Sequence, residues 1–298
     1  MMWIEVHFQA DKTDAEMIEG LLMAYGALST TMIDAADQPL LEPMPGESPL
    51  WDEIVVTGLF EQTADSEQIL AYISSKVQPK RSWSSTLADE VWERSWMDHF
   101  KPIRMGDRLW VVPSWCEPPE PEHTNLLIDP GLAFGTGNHE STQLCLGWLS
   151  RQNLEGARVL DFGCGSGILG IGALKLGASS VHAVDIDPLA VDATNQNAAL
   201  NNLESKVWSG LNSDFDALSP DDRPESFDVI CANILAKPLM MLAEFFSEQL
   251  PSGGQIVLAG LIVSQQQQVI DAYTPYFILQ GRIEAPTGGW LSLSFTRR

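Results

Sequence analysis

Asp161, Gly163, Gly165 and Gly167 stand at alternate positions where the apolar run from Val159 gives way to a new apolar pattern starting at Ile168. This reads as strand, tight turn and helix. Glycines at such a turn admit positive φ and carry no Cβ to hold a ligand off the backbone. The helix that follows aims unpaired N–H groups at whatever lies there. The chemistry indicated is the binding of a cofactor against the turn. Asp185 ends the strand-like run from Val181 and can accept both hydroxyl protons of a ribose. Asn233 closes the apolar run from Phe227, and its amide offers donors and acceptors at the carboxyl edge of a sheet, where open α/β folds bind ligands.

Spacing selects the cofactor. A dinucleotide fingerprint beginning at Gly163 requires glycine at position 168, which is Ile168. The sequence Asp-x-Gly-x-Gly-x-Gly instead resembles the first motif of the Rossmann-like S-adenosylmethionine (SAM) methyltransferases. Each residue also has a plain structural role when taken alone. The glycines let a helix pack closely on a sheet, Asp185 is a solvated strand end or a cap beside Asp187-Pro188, and Asn233 caps the next helix. Their joint placement at the spacing of βαβ units favours the cofactor reading.

A further loop, 129–142, collects Gly131, Gly135, Gly137, His139, Ser141 and Thr142 ahead of a helix carrying Leu144, Leu146 and Leu149. Loops of this make-up are usually functional. The helix start offers N–H groups and Thr142 a hydroxyl, both suited to the amino-acid end or ribose of a cofactor. His139 is either a base or a structural loop histidine, and no catalytic residue is assigned.

The elements that must position these groups form two patterns. From Trp3 to Phe8 the chain alternates as a strand, and Thr13 to Glu16 forms a capping box ahead of a helix with Ile18, Leu21, Leu22 and Tyr25, stopped by Gly26. Leu28 to Ile33 and Glu53 to Phe60 read as strands around a loop holding Pro39, Pro43, Pro45 and Pro49. A helix over Ser66 to Lys76 and a strand over Arg81 to Leu87 complete a β-α-β-β-α-β order, the ferredoxin-like α+β pattern. Trp92, Trp96 and Phe100 recur at helical spacing and read as the packed face of a linker. Short strands follow at Arg108–Val112 and Leu126–Ile128. Beyond them, strands around Val159, Val181, Val207, Val229 and Ile256 alternate with helical patterns, which implies a parallel sheet. Tyr276–Ile283 and Trp290–Phe295 read as a closing antiparallel hairpin. The expected division is a recognition domain over 1–90, a linker over 91–115 and a cofactor-binding domain over 116–298. Gln265–Gln268 is read as the polar side of a helix.

The chain has 298 residues, 45% of them hydrophobic, enough for two cored domains. No apolar run reaches a membrane span and the start lacks a signal-peptide pattern, so a cytoplasmic protein is expected. Cys116, Cys145, Cys164 and Cys231 lack metal-ligand spacing and read as buried thiols, with neither disulfide nor metal expected. The 17 basic and 40 acidic residues leave a formal charge of -23. Such a surface opposes direct nucleic-acid binding, which rests on Lys and Arg, and suits a basic protein partner. It also serves plain solubility.

Phe-Gly-Thr-Gly-x-His-x-x-Thr before the helix, Asp-Phe-Gly-Cys-Gly-Ser-Gly, Val-Asp-Ile-Asp-Pro, Ala-Asn-Ile-Leu and a late Ser-Gly-Gly together resemble the family that methylates large-subunit ribosomal protein L-eleven (L11), nearly end to end. The resemblance implies SAM as cofactor and methyl transfer to the N-terminal amino group and lysine side chains of that protein. It implies substrate capture by the small N-terminal domain, and cofactor contacts at Thr142, Gly163, Asp185 and Asn233. Ser141 stands where many members carry threonine. The alternatives are a non-catalytic SAM-binding ribosome assembly factor, or a methyltransferase acting on a release factor or RNA. The release-factor and nucleic-acid enzymes carry an Asn-Pro-Pro-Tyr-type motif where this chain has Asn233-Ile234-Leu235-Ala236.

Overall fold

The structure is a computed structural model that describes residues 2–36, 51–88, 100–129, 135–219 and 223–298. The chain divides into two compact units, Met1–His99 and Phe100–Arg298. The expected proline-rich loop and the tryptophans of the linker lie outside the described residues.

In the first unit, strands β1 (Met2–Asp11), β2 (Ser29–Asp34), β3 (Glu53–Glu61) and β4 (Arg81–Ala88) form one antiparallel sheet of order β2-β3-β1-β4. Period-two alternation in β1 buries Val6, Phe8 and Ala10, which pack with Ile18, Leu22, Ile69 and Ile73 of helices Lys12–Ala24 and Ser66–Ser74. This is the ferredoxin-like order read from the sequence. The first helix begins differently from expectation. It starts at Lys12, with Asp11 as an N-cap that makes no side-chain bond, so Thr13 to Glu16 form no capping box. Pairing of β1 with β3 continues to Asp11 opposite Glu53, and the Lys12 amide donates to the Asp52 carbonyl at 3.1 Å. A sheet neighbour thus satisfies a helix-start N–H that a side chain would otherwise take.

The second unit opens with a small sheet of β5 (Ile103–Met105), β6 (Leu109–Pro113) and β7 (Thr124–Ile128). Strand β5, three residues long, is too short to leave a periodic signal in the sequence. The main sheet contains β8 (Arg158–Phe162), β9 (Ser180–Asp185), β10 (Val207–Leu211), β11 (Val229–Asn233), β12 (Gln255–Ile262), β13 (Phe277–Glu284) and β14 (Trp290–Arg297) in the order β10-β9-β8-β11-β12-β14-β13. Strands β8 to β12 run parallel, and β14 inserts antiparallel between β12 and β13. Parallel strands buried on both faces read as near-continuous apolar runs, as Val229–Ala232 of β11 does; β8 is equally buried but carries Asp161 within it. One face packs Leu146, Ile171 and Val257, the other Phe246, Leu258 and Phe295. The chain leaves β8 for β9 on one side and later returns to β11 on the other. That reversal opens a crevice at the carboxyl ends of β8 and β11.

Candidate functional site

Strand register brings the site together. Phe162 of β8 pairs with Val184 of β9 and with Ala232 of β11, so the residues one step further on are Gly163, flanked by Asp185 and Asn233. All three line a cavity of about 620 Å³. Gly163 has φ 76°, and a Cβ there would lie 2.2 Å from Cγ2 of Ile234. The turn therefore needs glycine for both conformation and space. Side chains of the helix Pro188–Leu200 hold it from behind: Thr194 Oγ1 donates to the Gly165 carbonyl at 3.1 Å and Asn197 Nδ2 to the Ser166 carbonyl at 2.9 Å.

Asp185 Oδ2 accepts the Gly165 N–H at 2.9 Å, and Oδ1 accepts those of Ile186 at 2.7 Å and Asp187 at 3.0 Å. A carboxylate has about four acceptor positions, so capacity remains for a ligand hydroxyl. Asp187, not Asp185, caps the following helix, accepting from Leu189 at 2.9 Å. Asn233 is likewise no cap, because the next helix, Ala236–Met241, has Leu235 at its N-cap. Its Nδ2 donates to Thr142 Oγ1 at 3.2 Å.

Thr142 is fully buried in the helix Glu140–Leu149 and does not line the cavity; it meets the site through Asn233. Its neighbour Ser141 and the N-cap residue His139 line the cavity instead. His139 accepts the Ser141 N–H through Nδ1 and meets Trp290 edge-on with centroids 4.4 Å apart. Asp185 and His139 are the titratable side chains lining this cavity.

Sequence reasoning missed Asn212. It follows Leu211, whose partner in β9 is Asp185, so it too stands at the carboxyl edge of the sheet. Its Oδ1 is buried with no hydrogen-bond partner among the described residues, and the residue lines the cavity. A polar residue at the end of the Val207–Leu211 run was the available signal. Ile186 (82% exposed) and Leu235 (55% exposed) add apolar surface to the lining. A ligand covering them would remove that area from water.

Beneath the turn, Asp161 is fully buried and accepts the Gly170 N–H at 2.8 Å. Burial pushes its carboxyl up to about 7, opposed by the Gly170 hydrogen bond and assisted by the charge of Asp185. Cys145, Cys164 and Cys231 are buried, and burial raises their thiols well above the ordinary range; Cys116 is half-buried. Among the described residues no helix is long and apolar enough to cross a membrane.

The family description "Ribosomal protein L11 methyltransferase (PrmA)" matches residues 2–298. A ribosomal protein L11 methyltransferase of Psychrobacter arcticus is 51% identical over 94% of this chain and 92% of its own. One from Acinetobacter baumannii is 45% identical over 100% and 99%. The crystal structure of a ribosomal protein L11 methylase from Lactobacillus delbrueckii subsp. bulgaricus superposes with a TM-score of 0.59 at 34% identity, covering 67% of this chain and 100% of that one.

Proposed function

Because the chain belongs to the ribosomal protein L11 methyltransferase family, we propose that it transfers methyl groups from SAM to amines of ribosomal protein L11, the N-terminal amino group and lysine side chains. The observation that carries this reading is the convergence of Gly163, Asp185, Asn212 and Asn233 on one cavity of about 620 Å³, within the range of cofactor sites. The residues present fit such a cofactor. The turn around Gly163 leaves backbone accessible, Asp185 retains acceptor capacity for ribose hydroxyls, and the buried Oδ1 of Asn212 calls for a donor such as an exocyclic amine. Thr142 contributes by holding Asn233.

SAM supplies an electrophilic methyl group on a sulfonium. The protein's task is to align an amine with it and keep that amine unprotonated. A lysine amine with a reference pKa of about 10.4 is mostly protonated at neutral pH. The apolar lining from Ile234, Leu235, Pro238 and Trp290 desolvates an entering ammonium and favours loss of its proton. Asn233 orients the nitrogen or the cofactor. Alignment supplies most of the acceleration, since effective molarities for oriented reactants are large.

The first unit supplies substrate choice. Its 99 residues hold 18 of the 40 acidic residues and 5 of the 17 basic ones, a net charge of -13 in a third of the chain. That balance favours a basic protein and opposes direct contact with nucleic acid. We place the reaction in the cytoplasm, with no membrane partner.

Mass spectrometry of purified L11 after incubation with the full-length protein and SAM tests the reading. Added methyl masses on L11 amines are expected; methylation of ribosomal RNA with L11 unchanged would refute it.

A further inference from the structure

Pairing of β12 with β14 runs Leu258↔Leu293 and then Leu261↔Leu291, so three steps on β12 oppose two on β14. The extra residue makes a β-bulge at Ala259–Gly260, and Ala259 pairs with Asn233 of β11. Gly260 has φ 77° and lines the cofactor cavity. A Cβ at this position would lie 2.4 Å from the Ile234 carbonyl oxygen, 2.9 Å from its carbon and 3.2 Å from Asn233 Oδ1. The obstacle is the backbone of the segment that carries Asn233, so the neighbour cannot rotate away as a side chain would. On the other side of the same amide, Asn233 Nδ2 donates to the buried Thr142 hydroxyl. Beyond the bulge, Ile262 pairs with Trp290, whose ring meets His139 at the helix start.

We propose that the bulge glycine Gly260 and the hydroxyl of Thr142 are positioning residues that clamp Asn233 between them, and that the bulge also sets the register presenting Trp290 to the cavity. The inference rests on the reading of Asn233 as the residue that orients the amine or the cofactor. Bulges beside functional sites re-aim side chains, and here the added residue lets β12 close onto the Asn233–Ile234 turn while shifting β14 by one position. Nδ2 is committed to Thr142, and the absence of a side chain at Gly260 leaves room for Oδ1 and for the Ile234 carbonyl. Neither positioning residue need touch the reacting atoms.

The experiment compares full-length Gly260→Ala with the unaltered protein in L11 methylation, SAM binding and thermal unfolding. Turnover of the unaltered protein and of Asn233→Ala, measured first, tests the underlying reading separately. A misplacement near 1 Å costs large factors in rate, so Gly260→Ala is expected to lower kcat about tenfold or more, with a loss of SAM affinity no larger than that of Asn233→Ala. In the Asn233→Ala background the same substitution is expected to cost at least about threefold less than in the unaltered protein, because residues acting through one another are not additive. Unchanged kcat, or an equal loss in both backgrounds, overturns the proposal. If Gly260→Ala does not fold, Thr142→Val and Thr142→Ser decide it. The valine variant is expected to lose turnover and the serine variant, which keeps the hydroxyl, to retain it; full turnover in the valine variant overturns the clamp.

Discussion

The carboxylate of Asp185 accepts the Gly165 amide at 2.9 Å, tying the end of β9 to the glycine turn after β8. The carboxylate proposed to hold the ribose is therefore also a brace for the glycine turn. Replacing Asp185 by Asn removes the charge while keeping shape. Hydrogen bonds to charged groups contribute about 1.5–3 kcal/mol, so the Kd for SAM should rise about 10- to 100-fold in titration calorimetry. Affinity within twofold of the unaltered protein would remove Asp185 from the cofactor site.

Gly163→Ala places a methyl group 2.2 Å from Ile234 Cγ2 in a left-handed conformation. Strain of this kind costs about 1–3 kcal/mol, and the turn moves to relieve it. SAM binding should weaken by about tenfold or more, with a lowered unfolding temperature. An unchanged pair of values would show that backbone approach at the turn is unimportant.

Asp161 links stability to pH. Its folded pKa of about 7 lies above the ordinary carboxylate value of 3.8, chiefly through burial, and its Oδ1 has no hydrogen-bond partner among the described residues. Between those two values the folded chain binds more protons than the unfolded one. The group's contribution therefore falls as pH rises from 4 to 7 and levels off above. The slope is at most about 1.4 kcal/mol per pH unit. Denaturant unfolding of Asp161→Asn beside the unaltered chain from pH 5 to 8 reads this directly: the variant should gain relative stability as pH rises, and parallel curves would contradict the assignment.

At the opposite, amino end of the strands, Arg158 Nε and Nη2 each donate to Asp228 at 3.1 Å, and the Arg158 amide donates to the same carboxylate at 2.8 Å. The Arg158 hydrogen bond holds Asp228 below the usual carboxylate range, so the stabilisation is present above that range and lost as pH falls through the folded pKa. Both side chains are about 40% exposed, and solvent screening limits the pair. Asp228→Asn should cost about 1 kcal/mol at pH 7. SAM affinity should not move; a large change there would mean that the two sheet edges are coupled.

The two units have separate cores, Val6 to Val77 in one and Met105 to Phe295 in the other. Deleting residues 1–99 should leave the Kd for SAM unchanged and abolish methylation of L11. Full methylation by the truncated chain would show that the second unit recognises its substrate unaided.

Much of this architecture is legible because local pattern and global fold agree. The strands around Val159, Val181, Val207, Val229 and Ile256 appear where apolar runs end in turn residues, and three of them carry at their carboxyl ends the polar side chains that converge, Asp185, Asn212 and Asn233. What the sequence hides depends on register. Thr142 stands one residue from Ser141, and only the helix's rotation decides that Ser141 faces the cavity while Thr142 reaches it through Asn233. Asn212 carries no motif, and its importance lies in an unpaired oxygen that no periodicity reveals. The bulge at Gly260 is equally silent, since a glycine in an apolar run does not disclose which backbone it approaches. The start of the first helix departs from the local capping pattern because a sheet carbonyl, remote in sequence, takes the place of the side-chain cap.

Titration calorimetry of the full-length protein with SAM, its demethylated product and a nicotinamide dinucleotide examines the glycine turn most directly. One saturable site for each of the first two, and no heat with the dinucleotide, is the predicted result. A clear isotherm with the dinucleotide and none with SAM would contradict the account.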